Sequence, residues 1–271
     1  MGYFEQALIA AVVIGASSGL VGTIVVLRKR VFFAQALTHA TFPGAVAAAL
    51  IGISIPLGAA LASIVIVGIM ALISRVRRQG TQVAAGIVLT AGFALGAVLQ
   101  ALNPGVPIEI ESFLVGSILS VSSSDVMLAT TVLLVTVLAL LVFGKELVFQ
   151  TFDRRGFAAA GYREWPMELL ALVLITATVV TAMPAVGAIL AIALIAAPAA
   201  AARIVAPSPR WMFVMAPLIG AASGIIGVVL SRVADVAAGP TIALVAAGFF
   251  LLALLVKRMP RLGWRTGVET V

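Results

Sequence analysis

The stretch FAQALTHATFPG, residues 33–44, carries the only histidine of the chain, His39, with Gln35 four residues before it. At that spacing the two share one face of a helix and offer an imidazole nitrogen and an amide oxygen. Thr38 and Thr41 add hydroxyls close by, and Pro43-Gly44 loosens the helical ladder one turn on. A neutral imidazole among oxygen donors suits a divalent ion such as zinc or manganese, yet one imidazole does not make a tight site. A second copy of the face from a dimer partner, or Glu109 near an outer mouth, would complete it. Weak coordination is what a conduit needs, because tight binding traps the ion. The alternative is a structural histidine bonded to a carbonyl of a neighbouring helix.

The surroundings decide what such a histidine costs. Of 271 residues, 63% are hydrophobic and 10% charged, and mean hydropathy is +1.24. A soluble surface needs far more charge, so the chain reads as an integral membrane protein almost throughout. The apolar runs are near the ~20 residues of a spanning helix rather than alternating ten-residue strands. The expected spans are 5–27, 33–54, 56–74, 82–101, 126–144, 167–184, 186–206, 211–233 and 239–256. The fold class expected is an all-α polytopic bundle of eight to nine transmembrane helices, one domain over 1–271. Segment 104–124 is less apolar and reads as a short or re-entrant helix, tolerated only where protein or water covers it. His39 lies roughly 12 Å into its span at about 1.5 Å per residue, near mid-membrane. Ionisable groups at that depth usually line a pathway or pair with one another.

Charge placement fixes a topology. Arg28, Lys29 and Arg30 follow the first span, and Arg75, Arg77 and Arg78 the third. Lys145, Arg154, Arg155 and Arg163 follow the fifth, Arg203 and Arg210 flank the loop after the seventh, and Lys257, Arg258, Arg261 and Arg265 follow the ninth. With nine spans and the N-terminus outside, all of these face the cytoplasm, and Arg232 alone does not. The basic run after the first span, rather than before it, argues against a cleaved signal peptide. The +7 charge therefore reports orientation in a lipid bilayer and not a nucleic-acid partner. Glu5, Glu109, Glu111, Asp125 and Asp235 fall on the outer side, either as ordinary solvated loops or as an anionic vestibule that concentrates a cation. The cytoplasmic stretch 145–170 is the only inner loop large enough to dock another protein; it is polar enough to be a surface helix and contains a Gly161 stop and Pro166.

Gly15-Ala16-Ser17-Ser18-Gly19 and Gly220-Ala221-Ala222-Ser223-Gly224 are small-xxx-small patterns that permit close helix approach. Each has a further glycine three residues on, Gly22 and Gly227, a hint of internal duplication. There is no cysteine, no G-x-x-x-x-G-K-S/T phosphate loop and no hydrolytic constellation. The chain is thus not expected to be an enzyme or to hold a cofactor of its own. It reads as a path whose energy comes from elsewhere.

Residues 34–44 resemble the second-helix pattern GDALSHAxLPG of the permeases of the zinc- and manganese-importing ABC transporters, the ABC-3 family. Four further stretches are similar to that family. Ser112–Leu119 resembles its YLFGxIL. Phe152-Asp153 through Gly161 resembles its cytoplasmic fDxxxAxxxG. Val186–Arg203, which includes Gly187 and Pro198, resembles VGxLLxxxLLxxPAAxAR. Ala238-Gly239-Pro240-Thr241 resembles SGPT. The resemblance implies a homodimeric permease with a vitamin-B12-importer-like fold in a bacterial cell membrane. It also implies a cytoplasmic ATP-binding subunit and an extracytoplasmic substrate-binding protein. The cargo it implies is a divalent metal: manganese, zinc or iron.

On this resemblance Gln35, Thr38, His39 and Thr41, with Glu109 and Glu111, line the substrate pathway, and His39 is the metal ligand. Asp153, Arg154, Phe157, Ala158 and Gly161 couple to the ATPase within about 145–166. Gly187, Pro198, Gly239 and Pro240 shape moving or tightly packed helices, with Pro198 equally readable as a packing kink. The chain departs from the pattern at Gln35 and Ser117, where the family carries aspartates, and at Arg155 and Phe157. An uncharged Gln–His pair is the weaker ligand set, which leaves open a metal chelate such as haem or a siderophore as cargo. A secondary drug or metabolite transporter and a structural membrane anchor are the readings from other classes.

Overall fold

The computed structural model describes residues 2–74, 81–105 and 110–262. Among them every regular element is helical, and nine helices are long and apolar enough to cross a membrane. Arg75, Arg77, Arg78, Glu109 and Arg265 lie outside the described residues.

The helix α1 (Tyr3–Leu27) is the most enclosed span. Its small-residue face meets α11 (Pro209–Ala234) antiparallel. A Cβ on Gly15 would collide with the Gly220 carbonyl, one on Gly19 with that of Ala216, and one on Gly224 with that of Ala11. The two similar glycine-rich motifs are therefore the two sides of one seam, held by backbone approach because lipid gives no hydrophobic drive between helices. The helices α10 (Ala188–Val205) and α12 (Ala238–Leu262) complete this half of the bundle. Buried Pro198 stands inside α10 and has no N–H to give to the Leu194 carbonyl one turn earlier.

The other half contains the expected second span, which is kinked. It forms α2 (Val31–Ala40) and α3 (Phe42–Ile51), broken at Thr41. Pro43 has no N–H to give to the carbonyl of His39, so the ladder cannot run straight through. Gly52, at φ 74, ends α3. The helices α4 (Ile55–Ser74) and α5 (Thr81–Leu102) pack on this bent span. Gly92 and Gly96 of α5 lie against Ala40 and Phe42 on either side of the break.

Segment 104–124 does not span. It holds α6 (Ile110–Val115) and a 3-10 turn at Ile118–Ser120, tucked against α9, α10 and α1. The fifth span is longer than expected. Ser122 accepts from the Asp125 nitrogen and starts α7, which runs from Ser123 to Phe152. Asp153 then caps the six-residue α8 (Arg154–Ala159) by accepting from the Gly156 nitrogen at 2.8 Å. The helix α9 (Glu164–Val186) follows. Stretch 145–170 is thus mostly helix, and most of that helix belongs to the two flanking spans, with α8 as a short rung between them.

Candidate functional site

The predicted face is present. Gln35 and His39 are both half-buried on α2, and neither side chain makes a hydrogen bond among the described residues. The His39 ring meets Phe93 of α5 edge-on, with centroids 6.0 Å apart. Phe93 stacks on Phe42 at 5.6 Å, and Phe42 touches Phe113 of α6 at 4.5 Å. An aromatic run therefore connects the histidine to the short non-spanning helix.

The threonines point elsewhere. Thr38 and Thr41 are fully buried. The Thr38 hydroxyl donates to the Gln35 carbonyl at 2.8 Å, and the Thr41 hydroxyl to the Thr38 carbonyl at 3.0 Å. Both hydroxyls serve the bend in the helix. Carbonyls three residues back are within reach of any helical threonine and compete with a ligand for it. Of the acidic pair expected at the outer mouth, Glu111 falls in α6 and Glu109 outside the described residues. No group of three histidine or carboxylate residues that could hold a metal occurs among the described residues. An apolar groove of about 770 Å³ lies between α4, α7 and α9, and neither Gln35 nor His39 lines it.

Gly187 and Gly239 both lie against the turn at Val115 and Gly116, a second place. Gly187 has φ 84 and ψ 160 and separates α9 from α10. Gly116 has φ 69 and follows α6. The Ser117 nitrogen donates to the Pro184 carbonyl at 3.1 Å, which pins the hairpin after α6 to the end of α9. A Cβ on Gly239, in the first turn of α12 beside Pro240, would sit 2.8 Å from the Val115 carbonyl and 3.0 Å from that of Val186. Three of the stretches that carry the family resemblance thus converge at one point, although they are far apart in the chain.

The third place is the rung at α8. Phe157 is fully buried and packs on Phe149 of α7 and on Tyr162, with ring centroids 5.5 and 4.8 Å away. Ala158 is exposed, and Gly161, at φ 82, closes the turn. Exposed Asp153 caps the rung, and Arg154 pairs with Glu164 at 3.4 Å. Beside this rung lies a cluster that sequence reasoning did not single out. Arg28 bonds Glu168, Gln150 and Thr151, and Arg30 pairs with the same Glu168. Burial lowers the Arg28 guanidinium from its ordinary value, and Glu168 opposes that shift. The one available signal was Glu164 and Glu168, an i, i+4 acidic pair on the side assigned to the basic loops.

The comparisons agree with this fold. The family model of the ABC 3 transport family matches residues 1–257. The manganese transport system membrane protein MntC of Halalkalibacterium halodurans is 32% identical over 251 residues, covering 93% of this chain and 86% of its own length. The zinc transport system membrane protein TroC of Treponema pallidum is 35% identical over 261 residues, covering 93% and 88%. The solved structure of PsaBC from Streptococcus pneumoniae in complex with Fab superposes with a TM-score of 0.88 at 30% identity, covering 97% of this chain and 96% of that one. An inward-facing putative metal-chelate type ABC transporter, at 16% identity and a TM-score of 0.75, shares the fold. The chain belongs to the ABC 3 transport family.

Proposed function

We propose that this chain is the membrane-spanning permease subunit of a bacterial ABC importer for a divalent metal, manganese or zinc. The observation that carries the reading is the match to the family over residues 1–257, whose similar members here include manganese and zinc transport proteins. A half-buried Gln35–His39 face with unengaged polar atoms supports a pathway there. One such face holds an ion only weakly, so the permease acts as a homodimer in which two copies flank the path. The N-terminus lies outside, and an extracytoplasmic binding protein delivers the ion to the acidic side, where Glu109 and Glu111 guide it in. A cytoplasmic ATPase subunit docks on α8 around exposed Ala158, and Phe157 anchors that rung to α7. The glycine junction and Pro198 shape the helices that move.

The test is the manganese, zinc and iron content of cells lacking the gene, restored with wild type or with His39→Ala. One metal falls in the deletion and recovers with wild type but not with well-expressed His39→Ala. If no metal changes, the metal reading fails. The uncharged Gln35 then points to a metal chelate as the cargo of the same permease.

A further inference from the structure

One carboxylate joins the bent span to the rung at α8. Glu168 stands in the second turn of α9 and uses each oxygen for a different arginine. Its Oε2 accepts from Arg28 Nη1 at 2.9 Å, and its Oε1 pairs with Arg30 Nη2. Arg28 closes α1, and Arg30 is the residue from which α2 starts. Lys29 between them holds φ 55, and the Arg30 nitrogen donates back to the Val25 carbonyl at 2.8 Å. The turn into α2 is therefore tight, and Glu168 clamps both of its ends.

The clamp continues to α8. Arg28 Nη2 donates to Gln150 Oε1 on α7 at 2.6 Å, and Gln150 Nε2 donates to the Glu164 carbonyl at 2.8 Å. The Glu164 carboxylate meets Arg154 on α8. The links differ in strength. Arg154 and Glu164 are exposed, and such a pair contributes little. The Arg28 side chain is only 7% exposed and that of Glu168 27%, so their interaction is weakly screened and their separation costly. The stiff part of the path is the Glu168 node, and it holds Arg30 at the start of the helix that carries Gln35 and His39.

We propose that Glu168 is the positioning residue that makes α2 move with the ATPase-docking rung, so that ATP hydrolysis acts on the Gln35–His39 face. This rests on the permease reading above. The experiment uses the whole complex of permease, ATPase subunit and binding protein in liposomes, with manganese and zinc uptake and phosphate release measured together. Glu168→Gln keeps the size and removes the charge. It is expected to lower ions moved per ATP by about tenfold, the scale of coupling that such networks carry, while ATP hydrolysis and complex assembly stay near wild type. Arg30→Gln, which cuts only the arm to α2, gives the same uncoupling with less disturbance of the buried Arg28. Glu168→Asp recovers part of the ratio. A Glu168→Gln complex with the wild-type ratio overturns the proposal. So does a parallel fall of uptake and hydrolysis, with Asp no better than Gln, which marks a merely structural residue. If the wild-type complex itself moves neither ion, the permease reading for these metals fails and the inference falls with it.

Discussion

Gly116 and Gly187 touch main chain to main chain. A methyl group on Gly187 would lie 2.6 Å from the Gly116 nitrogen, and one on Gly116 would lie 2.9 Å from the Gly187 Cα. Both hold positive φ, and the pair occurs in two similar runs, VGSIL at 115–119 and VGAIL at 186–190. Each run leaves one helix and enters another element at the same level. Their contact lets the segment after α6 sit against the end of α9, where the Ser117 nitrogen finds a partner in the Pro184 carbonyl.

Gly187→Ala tests that contact. A backbone at φ 84 and ψ 160 is a conformation essentially confined to glycine, and the added methyl also meets backbone rather than a side chain that can swing away. The cost is roughly 3 kcal/mol or more. Thermal unfolding of the purified protein in detergent should show a lowered Tm. Gly248→Ala in α12 is the control, because nothing lies within 4 Å of its added methyl. That variant should match or slightly exceed wild type, since alanine is the better helix former by roughly 0.5–1 kcal/mol.

The seam between α1 and α11 gives a second prediction. Gly15 and Gly220 each occupy the space that the other's methyl would need. Gly15→Ala and Gly220→Ala should each destabilise by about 1–3 kcal/mol. Once the helices have been forced apart by the first methyl, the second has less to displace. The double variant should therefore cost less than the two single costs together, a coupling read from a double-mutant cycle of detergent unfolding. Additive costs would mean that the two glycines do not share one contact.

Much of this architecture was legible because the period and length of apolar runs report spans directly. All nine expected spans coincide with described helices, with ends shifted by a few residues. The extension of α7 to Phe152 was missed because Lys145 and Glu146 read as the end of a membrane segment, whereas a helix continues past the bilayer whenever its residues favour it. The Gln35–His39 face was legible from spacing alone. The inward role of Thr38 and Thr41 was not, because it depends on which carbonyls a bent helix leaves within reach. The pairing of Glu168 was not legible for a different reason: beyond the Glu164–Glu168 spacing nothing marked it, because Glu168 and Arg28 are 140 residues apart and no local pattern encodes a contact at that range.

The pathway itself can be probed by restoring charge. A carboxylate beside a histidine is a harder and stronger ligand pair for manganese than an amide. Gln35→Asp should therefore lower the KM for manganese uptake, by about tenfold for a gain of about 1.4 kcal/mol. His39→Ala should depress uptake of either metal while leaving assembly intact, because its ring makes one edge contact, with Phe93, and no hydrogen bond among the described residues. Uptake in liposomes across a range of free metal concentrations separates the two effects. An unchanged KM in Gln35→Asp would place the ion elsewhere.

The rung at α8 yields the last prediction. Phe157 fills the space between Phe149 and Tyr162, and truncating a buried phenylalanine costs roughly 3–5 kcal/mol where the site cannot collapse. Here that loss falls on a six-residue helix at the end of a long span, so it should free the rung from α7 without unfolding the bundle. Phe157→Ala should keep the detergent Tm of the spans near wild type while α8 becomes sensitive to protease. In the assembled complex it should retain ATP hydrolysis and lose metal uptake, since a loosened rung absorbs the motion it ought to pass on. Ala158→Cys, exposed on the same rung, should crosslink to the ATPase subunit in the wild-type background and less efficiently when combined with Phe157→Ala. A protease-sensitive rung with full uptake would show that coupling runs through another contact.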